Sequence, residues 1–273
     1  MSFIKTGVIG QPVAHSKSPL IHGYWIEKYG LAGTYEALEI PPENLESGVR
    51  KLIEGGYSGF NVTIPHKESM LSLCDELDET ARAIGAVNSV VIKDKKLFGF
   101  NTDAFGFVEN IRRHQPAFDF TAGAAVVLGA GGAARAVVYA LLQEGVPEIV
   151  LTNRTEEKAR KLASMAPERV KVADWEDREE ALKQAALLVN TSSLGMAGNP
   201  PLELSLDYLP PASLVHDIVY APQMTDLLTA AKARGNEIVT GIGMLIHQAR
   251  PSFESWFGIR PDVTEELEKL VRA

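Results

Sequence analysis

The features that the sequence lacks narrow the classes of protein it can encode. Cys74 is its only cysteine, so an intramolecular disulfide is excluded, and this fits a reducing cytoplasm without proving it. No apolar run is long enough to cross a bilayer, and Met1–Lys5 lead straight into a strand without the apolar core of a signal peptide. Internal repeats and low-complexity segments are also missing.

An excess of positive charge is missing as well. The chain has 27 basic and 35 acidic residues, a formal net charge of −8, and no basic stripe. We therefore expect neither nucleic acid nor an anionic membrane as a partner. The length of 273 residues corresponds to about two domains of ordinary size. If so acidic a protein binds a negatively charged ligand, it must use local hydrogen-bond donors rather than its overall charge.

A glycine-rich turn in the middle of the chain offers such donors. The apolar run Ala124–Leu128 predicts a buried strand, and Ala133–Glu144 predicts a helix. Gly129, Gly131 and Ala134 between them form a Gly-x-Gly-x-x-Ala turn, which is typical of dinucleotide-binding folds. A pyrophosphate in such a fold sits at the helix N-terminus. A glycine turn alone also serves loops without a ligand, but the strand and helix around it favour nucleotide binding.

The end of the next predicted strand, Val146–Thr152, indicates which dinucleotide. An NAD site usually has Asp or Glu here for the ribose 2′-hydroxyl, whereas this chain has Asn153 and then Arg154. An arginine can bind a 2′-phosphate with two hydrogen bonds, and Lys158, one helical turn further, can add charge. The alternative is a solvated basic face. We interpret the pattern as an NADP site.

The first part of the chain alternates predicted strands with predicted helices, which implies a mainly parallel sheet. Ligands in such sheets bind beyond the carboxyl ends of the strands. The loops that hold Ser16 and Thr63–Lys67 both follow a strand. The strands are Thr6–Gly10, Thr34–Ile40 and Gly59–Ile64, and the helices are Leu20–Tyr29 and Leu45–Gly55.

Several polar side chains near these strand ends have two interpretations each. Ser18, before Pro19, suits a helix N-cap, but together with Ser16 it can also hold a carboxylate. Lys67, near an expected helix N-terminus, is either an exposed lysine or one held for proton transfer. Asp103 is either an N-cap or part of a second polar cluster, and Asn88 is either a turn residue or a donor to a hydroxyl.

The rest of the chain predicts three more strands and a helical end. Tyr220 is either packing or a substrate ligand, and Gly241–Gln248 open the final helical region. Pro251 predicts a kink or a new helix start, and Trp256 and Phe257 predict an anchor on the first domain. The strands are Leu187–Thr191, Leu214–Val219 and Ile238–Thr240.

Taken together, these motifs resemble the shikimate dehydrogenases over nearly the whole chain, in both order and spacing. The matching stretches are Ala14–Pro19, Asn61–Lys67, Gly85–Asn88, Asn101–Asp103, Gly129–Ala134, Asn153–Thr155, Asp217–Pro222 and Gly241–Gln248. The resemblance implies an α/β protein with a substrate-binding domain (1–103), a Rossmann NADP-binding domain (104–240) and C-terminal helices (241–273) that return to the first domain. It also implies a cytoplasmic enzyme, monomeric or homodimeric, without a metal.

The family reduces 3-dehydroshikimate to shikimate with NADPH, on the route to chorismate and the aromatic amino acids. The resemblance implies that Lys67 transfers the proton with Asp103 paired to it. Substrate ligands implied in the same way are Ser16, Ser18, Thr63, Lys67, Asn88, Asp103, Tyr220 and Gln248. Implied cofactor ligands are Glu79, Gly129, Ala130, Gly131, Gly132, Ala133, Asn153, Arg154, Thr155, Lys158, Ile218 and Gly241.

Two other functions stay open at this point. A quinate/shikimate dehydrogenase that uses NAD has the same fold, but Arg154 argues against it. A non-catalytic NADP-binding regulator also has the same fold, but the retained Lys67 and Asp103 argue against that.

Overall fold

The computed structural model describes residues 3–272, which divide into two compact units. The first unit contains the chain up to Gly106 and again from Leu245, and the second runs from Phe107 to Met244. The sequence analysis placed the boundaries after Asp103 and Thr240. Asp103 is the first residue of one helix, and Thr240 directly precedes another, so both divisions of the chain fall at or within these helices.

The first unit is built on a six-stranded mixed sheet. Its strands have the order β2-β1-β3-β5-β6-β4. The neighbours β2, β1 and β3 are parallel, while β5 and β6 form an antiparallel hairpin whose turn residues Asp94 and Lys95 have positive φ. The strands are β1 (Ile4–Gly10), β2 (Gly33–Glu39), β3 (Gly59–Val62), β4 (Glu76–Leu77), β5 (Ser89–Lys93) and β6 (Lys96–Phe100).

Short helices connect these strands and cover the sheet. They are α1 (Ser18–Lys28), α2 (Leu45–Glu54), α3 (Glu79–Ile84) and α4 (Asp103–His114), the last of which continues into the second unit. Val49 and Leu52 on α2 pack against Phe60 and Val62 of β3 in one buried cluster. This burial holds the strand ends that carry the polar loops, because apolar contact is the main favourable term in folding.

The second unit is a doubly wound parallel sheet. Read from one edge, its strand order is β9-β8-β7-β10-β11-β12, which is 3-2-1-4-5-6 when β7 is counted as the first strand. This is the Rossmann order, and it places the topological switch between β7 and β10. The strands are β7 (Ala124–Leu128), β8 (Ile149–Thr152), β9 (Val170–Ala173), β10 (Ala185–Asn190), β11 (Leu214–Asp217) and β12 (Ile238–Val239). The helices are α5 (Gly132–Gln143), α6 (Glu156–Ala163) and α7 (Asp226–Ala233).

Two helices complete the chain, α8 (Gly241–Phe257) and α9 (Glu265–Arg272). Pro251 lies inside α8, so the predicted new helix start is wrong: one helix continues through it. Beyond the proline, Phe253 stacks on Phe257 with ring centroids 4.5 Å apart. The Trp256 indole donates to the Val90 carbonyl over 3.0 Å, which confirms its predicted anchoring in the first unit.

Within residues 3–272, no helix has the length and apolar character needed to cross a membrane. The same residues contain no group of three or more His, Cys, Asp or Glu side chains arranged to hold a metal ion.

Candidate active site

The loops after β1 and β3 meet at one edge of the first sheet, because these neighbouring strands are parallel. The Gln11 N–H donates to the Ile64 carbonyl over 2.9 Å. A Cβ on Gly10 would lie 2.4 Å from Cγ2 of Thr63, so the close approach of the two loops requires glycine. The loops that carry Ser16 and Lys67 therefore emerge at the same edge.

The hairpin β5–β6 brings two further segments to this edge. Asn88 directly precedes β5, and its carbonyl accepts from the Val62 N–H over 2.8 Å. The Val87 N–H donates to the Lys67 carbonyl, also over 2.8 Å. Since β6 runs antiparallel to β5, it ends at the same edge, and Asp103 follows it as the first residue of α4.

The side chains of these segments form one connected set. Lys67 Nζ lies 2.5 Å from Asp103 Oδ2, and the Asn88 amide donates to Asp103 Oδ1 over 2.8 Å. Gln248 on α8 joins it, with Oε1 lying 3.2 Å from the Asn88 amide nitrogen. We call Lys67, Asn88, Asp103 and Gln248 the lysine cluster. The Lys67 side chain keeps 17% of its surface exposed and Asp103 keeps 7%, so the pair is desolvated but accessible.

Asp103 is not the N-cap that one interpretation assigned to it. Both of its carboxylate oxygens accept from side chains of the lysine cluster. The Asp103 N–H donates instead to Asn101 Oδ1 over 2.9 Å. Asn101 thus satisfies the helix start, as an N-cap side chain does, and leaves the carboxylate of Asp103 to Lys67 and Asn88.

The helix expected just after Lys67 is only a short 3-10 helix, Ser69–Ser72. It is a single turn and cannot supply the field of a full α-helix N-terminus at Lys67. The carboxylate of Asp103, rather than a helix end, is therefore the main electrostatic partner of this lysine.

The serines at the start of α1 are arranged differently from the expectation that Ser18 is the cap. Ser18 is already helical, and Lys17 occupies the N-cap position without a side-chain cap. The Ser18 N–H donates to Ser16 Oγ over 3.2 Å. Of the two interpretations of Ser18, the N-cap is therefore wrong, because Ser18 is itself the first helical residue. The Ser18 hydroxyl bonds the phenol of Tyr35, whose pKa burial raises.

Asn61 is a buried connector that the sequence analysis did not assign to the site. Its Oδ1 accepts from the Tyr35 hydroxyl over 2.6 Å. Its amide donates to Ser89 Oγ over 2.7 Å and to Ser252 Oγ over 3.1 Å. Its amide also reaches the Asn88 carbonyl over 3.1 Å, which links the serine loop to the lysine cluster. An asparagine inside an otherwise apolar, buried strand is the signal that could have revealed it.

Thr63, Glu79 and Tyr220, which were also predicted to belong to the site, are not members of the lysine cluster. Thr63 lies at the carboxyl end of β3 and is half-buried. Glu79 is exposed in the first turn of α3, a helix capped by Asp78. Tyr220 belongs to the second unit, where it follows β11, and burial raises its pKa.

The glycine turn of the second unit has the shape that a pyrophosphate needs. Gly129 has φ of +109°, and a Cβ there would lie 2.8 Å from Thr191 Oγ1. A Cβ on Gly131 would meet nothing within 4 Å, so open space lies in front of this backbone. Gly132 begins α5, whose first turn contains no acidic residue. Ala130 and Ala133 complete the turn, and the N–H groups at the start of α5 fit an anionic ligand.

The side chains after β8 fit a 2′-phosphate. Asn153 donates to the Thr155 carbonyl over 2.8 Å, which folds the segment into the start of α6. Arg154 and Lys158 are exposed, and among the described residues neither side chain has a hydrogen bond or ion pair. Two unpaired cations beside a nucleotide-binding turn can bind a phosphate without first breaking another contact.

Where β11 ends, at the same edge of the sheet, two backbone segments are in direct contact. A Cβ on Gly241 would lie 2.2 Å from the Ile218 carbonyl oxygen. The start of α8 therefore packs directly on the segment after β11, and only glycine permits this distance. The structure brings together Ile218 and Gly241, both predicted cofactor residues.

A Rossmann unit with open phosphate space, joined in one chain to an α/β unit with a Lys–Asp pair at its sheet edge, defines a nucleotide-dependent oxidoreductase. Family models identify its kind. Residues 8–90 match the shikimate dehydrogenase substrate binding domain, residues 112–196 match shikimate / quinate 5-dehydrogenase, and residues 241–272 match the shikimate 5′-dehydrogenase C-terminal domain. The chain belongs to the shikimate dehydrogenase family.

Individual relatives agree with this assignment. The shikimate dehydrogenase (NADP(+)) of Paramagnetospirillum magneticum is 54% identical over 97% of this chain and 96% of its own. The crystal structure of shikimate 5-dehydrogenase from Thermus thermophilus in complex with NADP(H) and shikimate has a TM-score of 0.88 at 37% identity, covering 99% of both chains. Quinate dehydrogenase from Corynebacterium glutamicum in complex with NAD has a TM-score of 0.89 at 31% identity, covering 98% of this chain and 97% of its own. The predicted family and fold class are confirmed.

Proposed function

We propose that the protein catalyses the reversible NADPH-dependent reduction of 3-dehydroshikimate to shikimate, in the biosynthesis of chorismate and the aromatic amino acids. The observation that carries the proposal is the Lys67–Asp103 pair at 2.5 Å, held by Asn88 in a chain of this family. An amine beside a carboxylate can deliver a proton to a developing alkoxide and take one back in the reverse direction.

The substrate ligands come mainly from the first unit. Ser16 and Ser18 hold the substrate carboxylate with their hydroxyls. Asn88 and Gln248 direct amide groups at the ring hydroxyls, and their fixed hydrogen bonds orient them for this task. Thr63, Asp103 and Tyr220 are assigned further contacts with the ring substituents.

The chemistry divides between the cofactor and the protein. NADPH, when bound, supplies the hydride that reduces the ketone carbon. The Lys67 ammonium supplies the proton that the carbonyl oxygen takes up as the C–O double bond becomes a hydroxyl. Asp103 holds the ammonium in place through the ion pair. Asn88 fixes the second oxygen of Asp103, so the carboxylate cannot rotate away from the lysine.

The cofactor contacts come mainly from the second unit. The turn Gly129–Ala133 binds the pyrophosphate, and Asn153–Lys158 surround the adenosine 2′-phosphate. Ile218 and Gly241 line the nicotinamide, and Glu79 contributes a further contact from the first unit. A cytoplasmic location, a monomeric or homodimeric state and the absence of nucleic-acid or membrane partners belong to the same proposal.

A spectrophotometric assay tests the reaction. We expect NADPH absorbance to fall when 3-dehydroshikimate is added, and to fall much more slowly with 3-dehydroquinate. If NADPH binds but no reduction occurs even at enzyme concentrations comparable to that of the substrate, the protein is a non-catalytic NADP-binding regulator and the proposal fails.

The similarity to an NAD-bound quinate dehydrogenase makes cofactor preference a second question. Arg154→Ala should lower the ratio of kcat/KM for NADPH to kcat/KM for NADH by about 10- to 100-fold, since a charge-assisted hydrogen bond contributes about 1.5–3 kcal/mol. Lys161→Ala, an exposed lysine further along α6, is the matched control and should leave the ratio unchanged. A wild-type enzyme that prefers NADH would support the quinate/shikimate dehydrogenase alternative.

A further inference from the structure

Two buried polar side chains meet where β10 and β11 end in the second unit. Asn190 and Asp217 are partners in the parallel register, and neither has any solvent-exposed surface. The Asn190 amide donates to Asp217 Oδ1 over 3.0 Å. Two apolar side chains would fill the same space without the cost of desolvating a carboxyl group, so the polar pair requires another explanation.

Each member of the pair holds the loop that follows its own strand. Asn190 Oδ1 accepts from the N–H and the hydroxyl of Ser192, over 3.1 Å and 2.7 Å. Asp217 Oδ1 accepts from the Val219 N–H over 3.0 Å. The hydrogen bond between Asn190 and Asp217 therefore joins two loops at the carboxyl edge of the Rossmann sheet, where such folds bind their ligands.

The second oxygen of Asp217 is tied to the next helix. It accepts from the Thr225 hydroxyl over 2.8 Å, and Thr225 in turn caps α7 by accepting from the Leu228 N–H. The donors to Asp217 are the Asn190 amide, the Val219 N–H and the Thr225 hydroxyl, all of them uncharged, and burial raises the pKa of its carboxyl group. The Asp217 carboxyl group therefore acts through the positions of its acceptor oxygens rather than through a negative charge.

The segment that Asp217 holds is the one against which α8 begins. A Cβ on Gly241 would lie 2.2 Å from the Ile218 oxygen and 2.6 Å from the Val219 oxygen. No side chain can fill a gap between these backbones, so a shift of Val219 would change the surface formed by Ile218 and Gly241 directly. Two hydrogen bonds therefore fix this surface: the Ile218 N–H donates to the Asn190 carbonyl over 3.1 Å, and the Val219 N–H donates to the Asp217 side chain.

We propose that Asp217, joined to Asn190, is a positioning residue for the nicotinamide end of the cofactor. It acts by holding the backbone of Ile218 and Val219 through hydrogen bonds and does not contact the reacting atoms. The inference rests on the proposed function, which assigns Ile218 and Gly241 to the nicotinamide.

Binding measurements without turnover test this role. Calorimetry should compare NADP⁺ with adenosine 2′,5′-bisphosphate, which carries the 2′-phosphate end but no nicotinamide. Asp217→Ala should weaken NADP⁺ binding about tenfold, the equivalent of one hydrogen bond, and leave the Kd of the bisphosphate unchanged. Asp217→Asn should bind both ligands like the wild type, because its oxygen can face Val219 and Asn190 while its amide donates to Thr225.

The matched control lies at the opposite end of β11. Asn236 is buried, and its amide donates to the carbonyls of Pro210 and Ser213, directly before that strand. Asn236→Ala removes buried hydrogen bonds without touching the carboxyl edge, so both Kd values should stay unchanged. If Asp217→Ala does not fold, Asn190→Ser takes its place, because it removes the amide that donates to Asp217. The Kd values of the same two ligands are then compared.

Three results would overturn the inference. Asp217→Ala could weaken both ligands equally, or it could leave NADP⁺ binding as unaffected as Asn236→Ala does. Asp217→Asn could also lose as much affinity as Asp217→Ala, which would make the charge and not the hydrogen bonds decisive. A wild-type protein that binds neither ligand contradicts the proposed function instead.

Discussion

The candidate ligand sites of the two units are built from different parts of the chain. In the first unit the site consists of side chains, with Lys67, Asp103 and Asn88 fixed by hydrogen bonds of 2.5 to 2.8 Å. In the second unit the proposed phosphate site consists of backbone N–H groups and of positions without a side chain, Gly129 and Gly131. The first unit presents the functional groups of side chains, whereas the second presents open space bordered by backbone N–H donors.

The difference follows from the chemistry of the two proposed ligands. A proton must come from a titratable group, and ring hydroxyls require directional donors and acceptors, so the first unit needs specific side chains. A pyrophosphate is recognised by the N–H groups at a helix end, which every residue except proline has. Removing side chains should therefore damage the first unit most, and adding them should damage the second.

The largest effect is expected from removing the amine of the lysine cluster. Lys67→Ala should lower kcat by about 10²- to 10⁴-fold with little change in the KM for 3-dehydroshikimate, because a proton donor acts in the transition state. Steady-state kinetics in both directions measure it. A kcat near that of the wild type would remove Lys67 from the mechanism.

Lys67→Arg is the informative companion to that variant. Its guanidinium keeps the ion pair with Asp103, but it does not release a proton in the physiological range. We expect it to be almost as inactive as Lys67→Ala while the protein remains folded. Lys5→Ala, which removes an exposed amine from β1, should leave turnover unchanged. If Lys67→Arg restored full activity, the ion pair and not the proton would be what the reaction needs.

The opposite experiment, adding a side chain, applies to the second unit. Gly131→Val should fold normally, because a Cβ there meets nothing within 4 Å and φ is −90°. The same side chain would occupy the space that a pyrophosphate needs, so the Kd of NADP⁺ should rise by about 10- to 100-fold, the equivalent of one or two hydrogen bonds. Calorimetry gives the Kd, and a thermal melt checks the fold.

Gly23→Val serves as the control for that addition. Gly23 lies in α1, and a Cβ there also meets nothing within 4 Å. Cofactor affinity should not respond to this change in the first unit. Equal losses of NADP⁺ affinity in both variants would show that an added valine acts through stability, and the contrast between the units would not hold.

The sequence predicted the glycine turn of the second unit better than the hydrogen bonds that support the lysine cluster in the first unit. A glycine turn is a local feature, since the strand Ala124–Leu128, the turn and the helix are contiguous. The connection of Asn61 with Ser89 and Ser252 joins strands and a helix far apart in the chain, and no local pattern reports it. Thr102 is similar, because its contacts with Asn88 and Gln248 depend on tertiary packing.

The errors have local causes as well. Ser18 before a proline matches an N-cap by propensity, but α1 already begins at Ser18, two residues before the predicted Leu20, and Ser16 Oγ accepts from the Ser18 N–H. The short strands β4 and β9 were not predicted, since two to four residues are too few to show a period. Helix α9 has a clear apolar face, Leu267 and Val271, and the sequence analysis could have found it.

A pair of buried histidines allows a finer comparison of the two units. His22 of the first unit stacks on Tyr35 with centroids 4.0 Å apart, and neither of its ring nitrogens has a hydrogen-bond partner. His216 of the second unit stacks on Phe107, and its Nε2 accepts from the Asn110 amide over 3.2 Å. Burial lowers the pKa of both from 6.5 to about 3.

Because each unit contains one of these histidines, we expect the stability of each unit to decrease at acidic pH. Between the unfolded pKa of 6.5 and the folded value of about 3, the unfolded chain binds a proton at each histidine that the folded chain does not. Stability is therefore fully present above pH 6.5 and falls with decreasing pH, by at most about 1.4 kcal/mol per pH unit for each histidine. His22→Phe should remove this slope from the first unit while keeping the ring stack.

Urea unfolding near pH 7.5 and near pH 5, followed by tryptophan fluorescence, measures the effect. Trp25 and Trp256 lie in the first unit and Trp175 in the second, so the signal mainly reports unfolding around His22. His216→Phe, the matched variant, should flatten the second unit's slope but lower stability at both pH values, because the Asn110 amide loses an acceptor. An unchanged pH slope in His22→Phe would mean that folding does not lower the pKa of this histidine, so that it takes up a proton near pH 5 in the folded protein too and its stacking on Tyr35 tolerates a charge.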